Sequence, residues 1–421
     1  LSCVQVTNAD SAHLFLQAFP ALEELVLQRV YLCFGTLFSM LAAHNTCPLR
    51  SITLDYCTIG DAALEAAATA LAQLPSLKAY HAVDRDVASP VASSLTALTS
   101  LEAGCAEAGD PPADTQLVKM VSHNRGFQSL ATGPGGVLPA ELLQSLLMSC
   151  STLTRINLYA DDIGDEVLDI LLQYGPNITG VALGDQTITT DRANHPCSWQ
   201  RLRLGHQHNI LAGLAYLPVR SVQELKTTND ADMLQLPVSP LSKDLPLLQR
   251  AVSNLKACPA WQKQPAARIL LYTPDWYIDD IPDMDVITEL LSTLSPLRGP
   301  HLQQLGISLK VDFGQQEVQV IASSVGRGLK SLALYGGFIK PSFWPALSQH
   351  LPNLRELKLK YTPADDIPGI TAYLRTVTQP FTLYIGLGVL PDDTLAHDAW
   401  QLHNVTVVQE WPRDAFDCYF A

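Results

Sequence analysis

The chain lacks the features that most often decide a function. No uncharged apolar run reaches the ~18 residues a membrane-crossing helix needs, so no membrane span is expected. Its nine cysteines, at 3, 33, 47, 57, 105, 150, 197, 258 and 418, are odd in number, widely spaced and free of any Cys-x-x-Cys. Charged residues make up only 16% of the chain, and the net charge of −14 is the wrong sign for tight nucleic-acid binding, which shows as a basic patch on a basic domain. Catalytic signatures are missing too. There is no Gly-x-Ser-x-Gly, no His-Glu-x-x-His and no cysteine with a histidine at catalytic spacing. Gly133-Pro134-Gly135-Gly136 has no Lys-Ser/Thr after it to cradle a phosphate, and in Gly328-Leu329-Lys330-Ser331 a leucine separates glycine from lysine. The expectation is therefore no catalytic residue, no cofactor and no small-molecule substrate. With 47% apolar residues the chain can still bury a large core, which excludes a disordered protein.

What the chain does have is a pattern, Leu-x-x-Leu-x-Leu, returning about every 26 residues. It is clearest in LRSITL (49–54), LTRINL (153–158), LKSLAL (329–334) and LRELKL (354–359). A fixed period of this size signals stacked supersecondary units, each too small to bury its own apolar face. Taking the first apolar position as a marker, units fall at Leu22, Leu49, Leu77, Leu98, Phe127, Leu153, Ile178, Trp199 and Val222, then at Ala266, Leu302, Leu329, Leu354, Pro380 and Leu402. That makes about fifteen. After each marker, apolar and polar residues alternate, as Ile52 and Leu54 do around Thr53, which is the period of a half-buried strand.

Between strands the period becomes helical. From Asp61 to Leu74, Leu64, Ala67, Ala68, Leu71 and Leu74 share one face. Asp61 and Asp165 each follow an Ile-Gly pair and are expected as N-caps. They lie 104 residues apart, four periods of 26. Prolines 20, 48, 75, 176, 218, 300 and 352 precede strands by one or two residues and turn the chain out of its helices.

LRSITLDYCTIGDAAL, with Cys57 three residues after the last strand leucine, resembles the leucine-rich-repeat superfamily. The nearest subtypes are the ribonuclease-inhibitor type and the cysteine-containing type of F-box proteins. The resemblance runs from about residue 12 to 408, with Asp161, Gln186 and Gly337 varying the Asn/Cys ladder position. It implies an α/β leucine-rich-repeat solenoid over residues 1–421, a curved arc or horseshoe with a parallel sheet on the concave face and helices on the convex face. Secreted members close their ends with clustered cysteines. None cluster here, so an intracellular, cytoplasmic location is expected, with organellar and ciliary ones left open. The sequons at Asn177 and Asn404 fall in strand regions and are read as accidental. The chain begins at Leu1 rather than Met, which leaves a preceding leader or module open.

Two stretches break phase. Residues 229–265 read as an insertion or degenerate repeat with a helix from Lys243 to Leu255, and 273–291 as an acidic excursion. Asp275, Asp279, Asp280, Asp283 and Asp285 in the latter lack the glycine and terminal bidentate ligand of a calcium loop. Asp283 reads better as a cap for a helix starting near Met284. His195, Cys197, His206 and His208 are zinc-type ligands, but their spacing matches no standard finger and a strand separates the pairs, so no metal is expected.

Binding information then rests on the strand positions expected to be exposed. These include Arg155, Asn157 and Tyr159, then Arg201 and Arg203, then Glu224 and Lys226. Further along come Arg268 and Tyr272, Tyr335, Glu356, Lys358 and Lys360, and Tyr384. On that face basic residues (155, 201, 203, 226, 268, 358, 360) outnumber acidic ones (24, 55, 102, 224, 356), whereas the whole chain has 27 basic to 41 acidic. Arginine and tyrosine are also the side chains enriched at binding hot spots. The reading is a non-catalytic scaffold or recognition subunit that holds protein partners in a larger assembly. The F-box resemblance implies a narrower alternative, the substrate-receptor part of a ubiquitin ligase. A structural subunit of a ribonucleoprotein or ciliary complex is another, with RNA contact the less favoured partner.

Overall fold

The computed structural model describes residues 21–28, 48–55, 69–74, 76–82, 97–103, 124, 126–132, 140–158, 164–184, 188–205, 210–227, 233–238, 245–263, 267–272, 284–298, 302–309, 311–360, 367–385 and 404–408. It is an α/β protein of parallel sheets and helices. The chain divides into two compact units, Leu1–Thr190 with His195–Leu202, and Asp191–Asn194 with Arg203–Ala421.

The strands are β1 (Glu24–Gln28), β2 (Ser51–Asp55), β3 (Ala79–Ala82), β4 (Ser100–Ala103), β5 (Ser129–Thr132), β6 (Arg155–Leu158), β7 (Gly180–Leu183), β8 (Arg201–Leu204) and β9 (Glu224–Lys226). They continue as β10 (Met233–Pro237), β11 (Ala267–Tyr272), β12 (Leu302–Ser308), β13 (Ser331–Tyr335), β14 (Glu356–Lys360), β15 (Phe381–Ile385) and β16 (Val405–Val408). Spatial order follows sequence order, β1 to β9 in one sheet and β10 to β16 in the other. β1 to β7 pair parallel with one another in turn, and so do β10 to β16.

The marker phase survives in the register. Arg155 lies opposite Ser129, and Glu356 opposite Ser331, each two residues past its marker. The exception is the last unit: Thr382 pairs with Thr406, which puts Asn404 rather than Leu402 at the marker position. The stretch read as an insertion or degenerate repeat holds β10 and two helices, so it keeps the strand-then-helix order and begins the second sheet.

In the first unit one sheet face is built from columns such as Leu25–Ile52–Tyr80–Leu101–Leu130–Ile156–Val181. In the second, Leu234–Ile269–Leu305–Leu332–Leu357–Leu383 forms the equivalent column. Leu54, Leu158, Leu334 and Leu359 are all buried, as the repeat requires.

Helices follow the strands: α1 (Ala140–Ser149), α2 (Asp165–Tyr174), α3 (Ile210–Tyr216), α4 (Leu245–Lys256), α5 (Pro259–Gln262), α6 (Met284–Thr293), α7 (Gln315–Val325), α8 (Phe343–His350) and α9 (Ile367–Thr376). Each long helix buries a stripe at three- and four-residue spacing, as Leu245, Leu248, Val252 and Leu255 do in α4. Successive helices pack together, α1 on α2 in the first unit and α6, α7, α8 and α9 in turn in the second. Among the described residues no helix is long and apolar enough to cross a membrane.

Asp165 departs from its expected role. It is the first residue inside α2, with Gly164 at the cap position and no side-chain cap bond. Its carboxylate instead accepts hydrogen bonds from the Thr189 backbone N–H (3.2 Å), the Thr189 hydroxyl and the Thr190 hydroxyl (2.8 Å), fastening the loop one repeat later. Asp61, Cys57 and Asp283 lie outside the described residues.

A second set of ties was not anticipated. The Asn177 side-chain amide donates to the Ser151 carbonyl (2.9 Å) and that of Asn353 to the Arg327 carbonyl (3.0 Å), each 26 residues back. The Asn404 amide likewise donates to the Val377 carbonyl (2.5 Å). Both sequon asparagines are therefore engaged between adjacent repeats.

Candidate binding face

Strand alternation sends every second side chain to the face opposite the leucine columns, and the two sheets use that face differently. On β5 to β8 it carries Ser129 and Ala131, Arg155 and Asn157, Gly180 and Ala182, then Arg201 and Arg203. Arg155, Arg201 and Arg203 are exposed and Asn157 half-buried, while Gly180 and Ala182 are buried beneath their neighbours. The stem of Arg155 lies across Gly180. A Cβ placed on that glycine would come 3.1 Å from Arg155 Cγ. On β9, Lys226 pairs with Glu224 on its own strand at 3.2 Å, an exposed ion pair that contributes little.

On β10 to β14 the corresponding face is closed. Leu270 is 1% exposed, Ala333 3%, Tyr335 2%, Tyr272 7% and Lys358 7%, and Met233 joins Leu270, Tyr272, Ala333 and Tyr335 in one apolar cluster. The expected exposure of Tyr272, Tyr335 and Lys358 is thus corrected. The physical reason is visible in the strands themselves. ILLY in β11 and LALY in β13 are continuous apolar runs, the pattern of a strand buried on both faces, whereas RINL and RLRL alternate. Gln235 is 0% exposed within this face, and its side-chain amide has no hydrogen-bond partner among the described residues.

Lys358 is stabilised locally. Its Nζ stands 3.7 Å from Glu356 Oε1 and 5.3 Å from the centre of the Tyr384 ring, a cation–π distance. Glu356 in turn accepts a hydrogen bond from the Ser331 hydroxyl at 2.5 Å. Arg268 and Tyr384 are half-buried, and Lys360 ends β14 opposite Tyr335. Tyr159 lies outside the described residues.

Of the suggested zinc ligands, His195 is exposed with Nδ1 2.9 Å from the Pro196 carbonyl, and Cys197 is half-buried. His206 and His208 lie outside the described residues, as do Asp275, Asp279 and Asp280. Among the described residues no group of three or more His, Cys, Asp or Glu is placed to hold a metal. Cys258 is buried, and burial pushes its thiol pKa up, away from the reactive thiolate.

A polar cluster in the second unit was also missed by sequence reasoning. Arg250 ion-pairs with Asp191, donates to the Ala215 carbonyl (2.9 Å) and sits 5.1 Å from the Tyr216 ring centre. Beside it, the buried Asn254 amide donates to the Leu214 (3.2 Å) and Ala215 (2.9 Å) carbonyls at the end of α3 and accepts from Arg220 (3.0 Å). These side chains finish a helix end that backbone bonds alone would leave open.

No protein-family model matches the chain, and no curated protein matches its sequence. Among solved structures it is similar to one described as "Crystal structure of Rad7 and Elc1 complex in yeast", at 15% identity and a TM-score of 0.38, over 89% of this chain and 92% of that chain.

Proposed function

We propose that the chain is a non-catalytic, protein-binding subunit built as a leucine-rich-repeat solenoid, and that its partner meets the open sheet face of β5 to β8. One observation carries this reading. A run of sequentially ordered parallel strands, repeated at about 26 residues, spends its leucines on one face and leaves arginines standing on the other. Stacked repeats of this kind make extended surfaces, and the exposed residue types suit macromolecular recognition. Of the residues expected on the binding face, Arg155, Asn157, Arg201 and Arg203 fit this role. Tyr272, Tyr335 and Lys358 serve the interior of the second unit instead.

The test is purification of the native assembly from its source, with quantitation of co-purifying chains. A stoichiometric protein partner, lost on joint Arg201→Glu and Arg203→Glu substitution at unchanged melting temperature, is the expected result. Isolation of the chain alone under gentle conditions would sink the proposal. The same experiment separates the narrower alternatives: a ubiquitin-ligase adaptor among the partners selects the substrate-receptor reading, and RNA or axonemal chains select the structural-subunit reading.

A further inference from the structure

Beyond the sheet face of β5 to β8, we infer a second contact surface: the edge of the second unit where the chain leaves its helices for β12, β13 and β14 takes a short acidic segment of a protein partner. Four cations from consecutive repeats meet there. Arg298 stands in the turn that leads to β12, Arg327 and Lys330 flank Leu329 at the entry to β13, and Arg355 immediately precedes β14. All four are exposed. The backbone brings them together. Gln303, Lys330 and Arg355 fall in one column, with the Lys330 N–H donating to the Gln303 carbonyl and the Arg355 N–H to the Lys330 carbonyl, each at 2.8 Å. Arg298 lies along the neighbouring turn, its Nε 3.0 Å from where a Cβ on Gly326 would stand, directly beside Arg327 in the chain.

These charges are not spent inside the unit. Among the described residues none of the three arginines has a carboxylate within ion-pair distance, and Lys330 Nζ donates to a neutral acceptor, Gln303 Oε1, at 2.9 Å. Residues 294–304, 323–331 and 347–355 contain no Asp or Glu, in a chain with 41 acidic residues against 27 basic. Glu356 follows Arg355 but belongs to the sheet face, where it accepts from the Ser331 hydroxyl and pairs with Lys358. The negative end of a helix dipole attracts cations, yet helix ends in this fold do not require them. In the first unit α1 and α2 have no basic residue in the last turn, and residues 147–154 and 173–179 contain no Lys or Arg.

The spread of the charges decides the ligand. They extend over two strand spacings, about 10 Å, and do not converge on one point, which suits a row of carboxylates better than a single phosphate. An extended segment with carboxylates on alternate residues repeats them at about 7 Å, and each can take a charge-assisted bond from a guanidinium. A nucleic acid would meet the same groups, but a chain of net charge −14 repels a polyanion at long range far more than a short acidic segment.

The test is fluorescence anisotropy on the full chain with a labelled decapeptide of alternating Glu and Ser, the same peptide with Gln for Glu, and a single-stranded RNA decamer. The Glu peptide is expected to bind, more weakly as salt rises, and the Gln peptide at least about tenfold more weakly. Arg298→Gln, Arg327→Gln and Arg355→Gln together are expected to weaken Glu-peptide binding by about thirtyfold, from three contacts of roughly threefold each. The melting temperature should not move, since all three side chains are exposed. Lys78→Gln with Lys256→Gln and Lys340→Gln removes the same charge elsewhere and is expected to leave binding nearly unchanged. Equal binding of the Glu and Gln peptides overturns the proposal, as does undiminished affinity in the triple arginine variant or tighter binding of the RNA. An equal loss in the lysine control overturns it too, because net charge alone would then account for binding. None of these failures touches the reading of the β5 to β8 face, which shares no residue with this edge.

Discussion

Replacing Gly337 by alanine should be among the most damaging single substitutions in the second unit. Gly337 lies three residues after Leu334, just past the end of β13. Its φ is +76°, a left-handed conformation that costs an L-residue roughly 1–2 kcal/mol. Space is the larger problem. A Cβ there would sit 1.7 Å from the Val311 carbonyl oxygen and 2.5 Å from its carbon, all backbone of the preceding repeat. An ordinary C···O contact is about 3.3 Å, so the two backbones must part by roughly 1.6 Å. That separation breaks the bonds from Phe313 N–H to the Phe338 carbonyl (2.7 Å) and from Lys340 N–H to the Phe313 carbonyl (2.8 Å), each worth roughly 0.5–1.5 kcal/mol net. The sum is a loss of roughly 2–5 kcal/mol. Urea denaturation followed by tryptophan fluorescence is the assay, since the buried Trp344 begins the next helix. Gly328 supplies the control: nothing lies within 4 Å of its missing Cβ and its φ is not positive. Gly328→Ala should be neutral or slightly stabilising. Equal urea midpoints for the two variants would refute the reasoning.

Other outcomes follow from the same geometry. Leu158→Ala should cost roughly 2–5 kcal/mol in the same assay, because the side chain is fully buried in its column. Asn254→Ala should cost roughly 1–3 kcal/mol by stranding the α3 carbonyls and Arg220, and Asn254→Leu should not recover it. The Asp191 carboxyl is held below its ordinary pKa, chiefly by the hydrogen bond from Arg250. A depressed carboxylate contributes stability above about pH 4 that is lost as pH falls through its folded value, so Arg250→Met should flatten the acid limb of the stability profile, by a small amount because the pair is exposed. Elemental analysis should find no stoichiometric zinc; zinc that disappears on changing His206 and His208 to Ala would reinstate the cluster from His195 to His208.

The strand positions were legible because the signal that sets them is local. Each marker leucine fixes which side of the sheet every following side chain takes, and the backbone repeats that choice. The N–H groups of Thr154 and Arg155 both reach the Gln128 carbonyl, as those of Thr179 and Gly180 reach Thr154. Asn404 shows where the signal weakens: with no leucine at that marker, the pattern drifted two residues to Leu402. The inter-repeat amides of Asn177 and Asn353 left a trace, an Asn after Pro and just before the marker, but one occurrence of such a dipeptide carries no meaning until the partner carbonyl 26 residues back is known.

The binding face was only half legible, and the reason lies in what alternation does and does not encode. Counting every second strand residue as exposed assumes that one side of the sheet meets solvent throughout. RINL and RLRL satisfy that assumption, and Arg155 and Arg201 stand where expected. ILLY and LALY do not, because Leu270 and Ala333 on the supposedly polar side already declare a second apolar face. A tyrosine is ambiguous in that context: its ring favours burial and its hydroxyl favours an edge. Tyr272 and Tyr335 therefore follow their apolar neighbours inward. Lys358 follows as well, since Glu356 and the Tyr384 ring supply at close range what water would otherwise give. The basic excess on this face thus has two origins. In β14 it balances charge within the unit, whereas Arg155 on β6 is exposed to solvent.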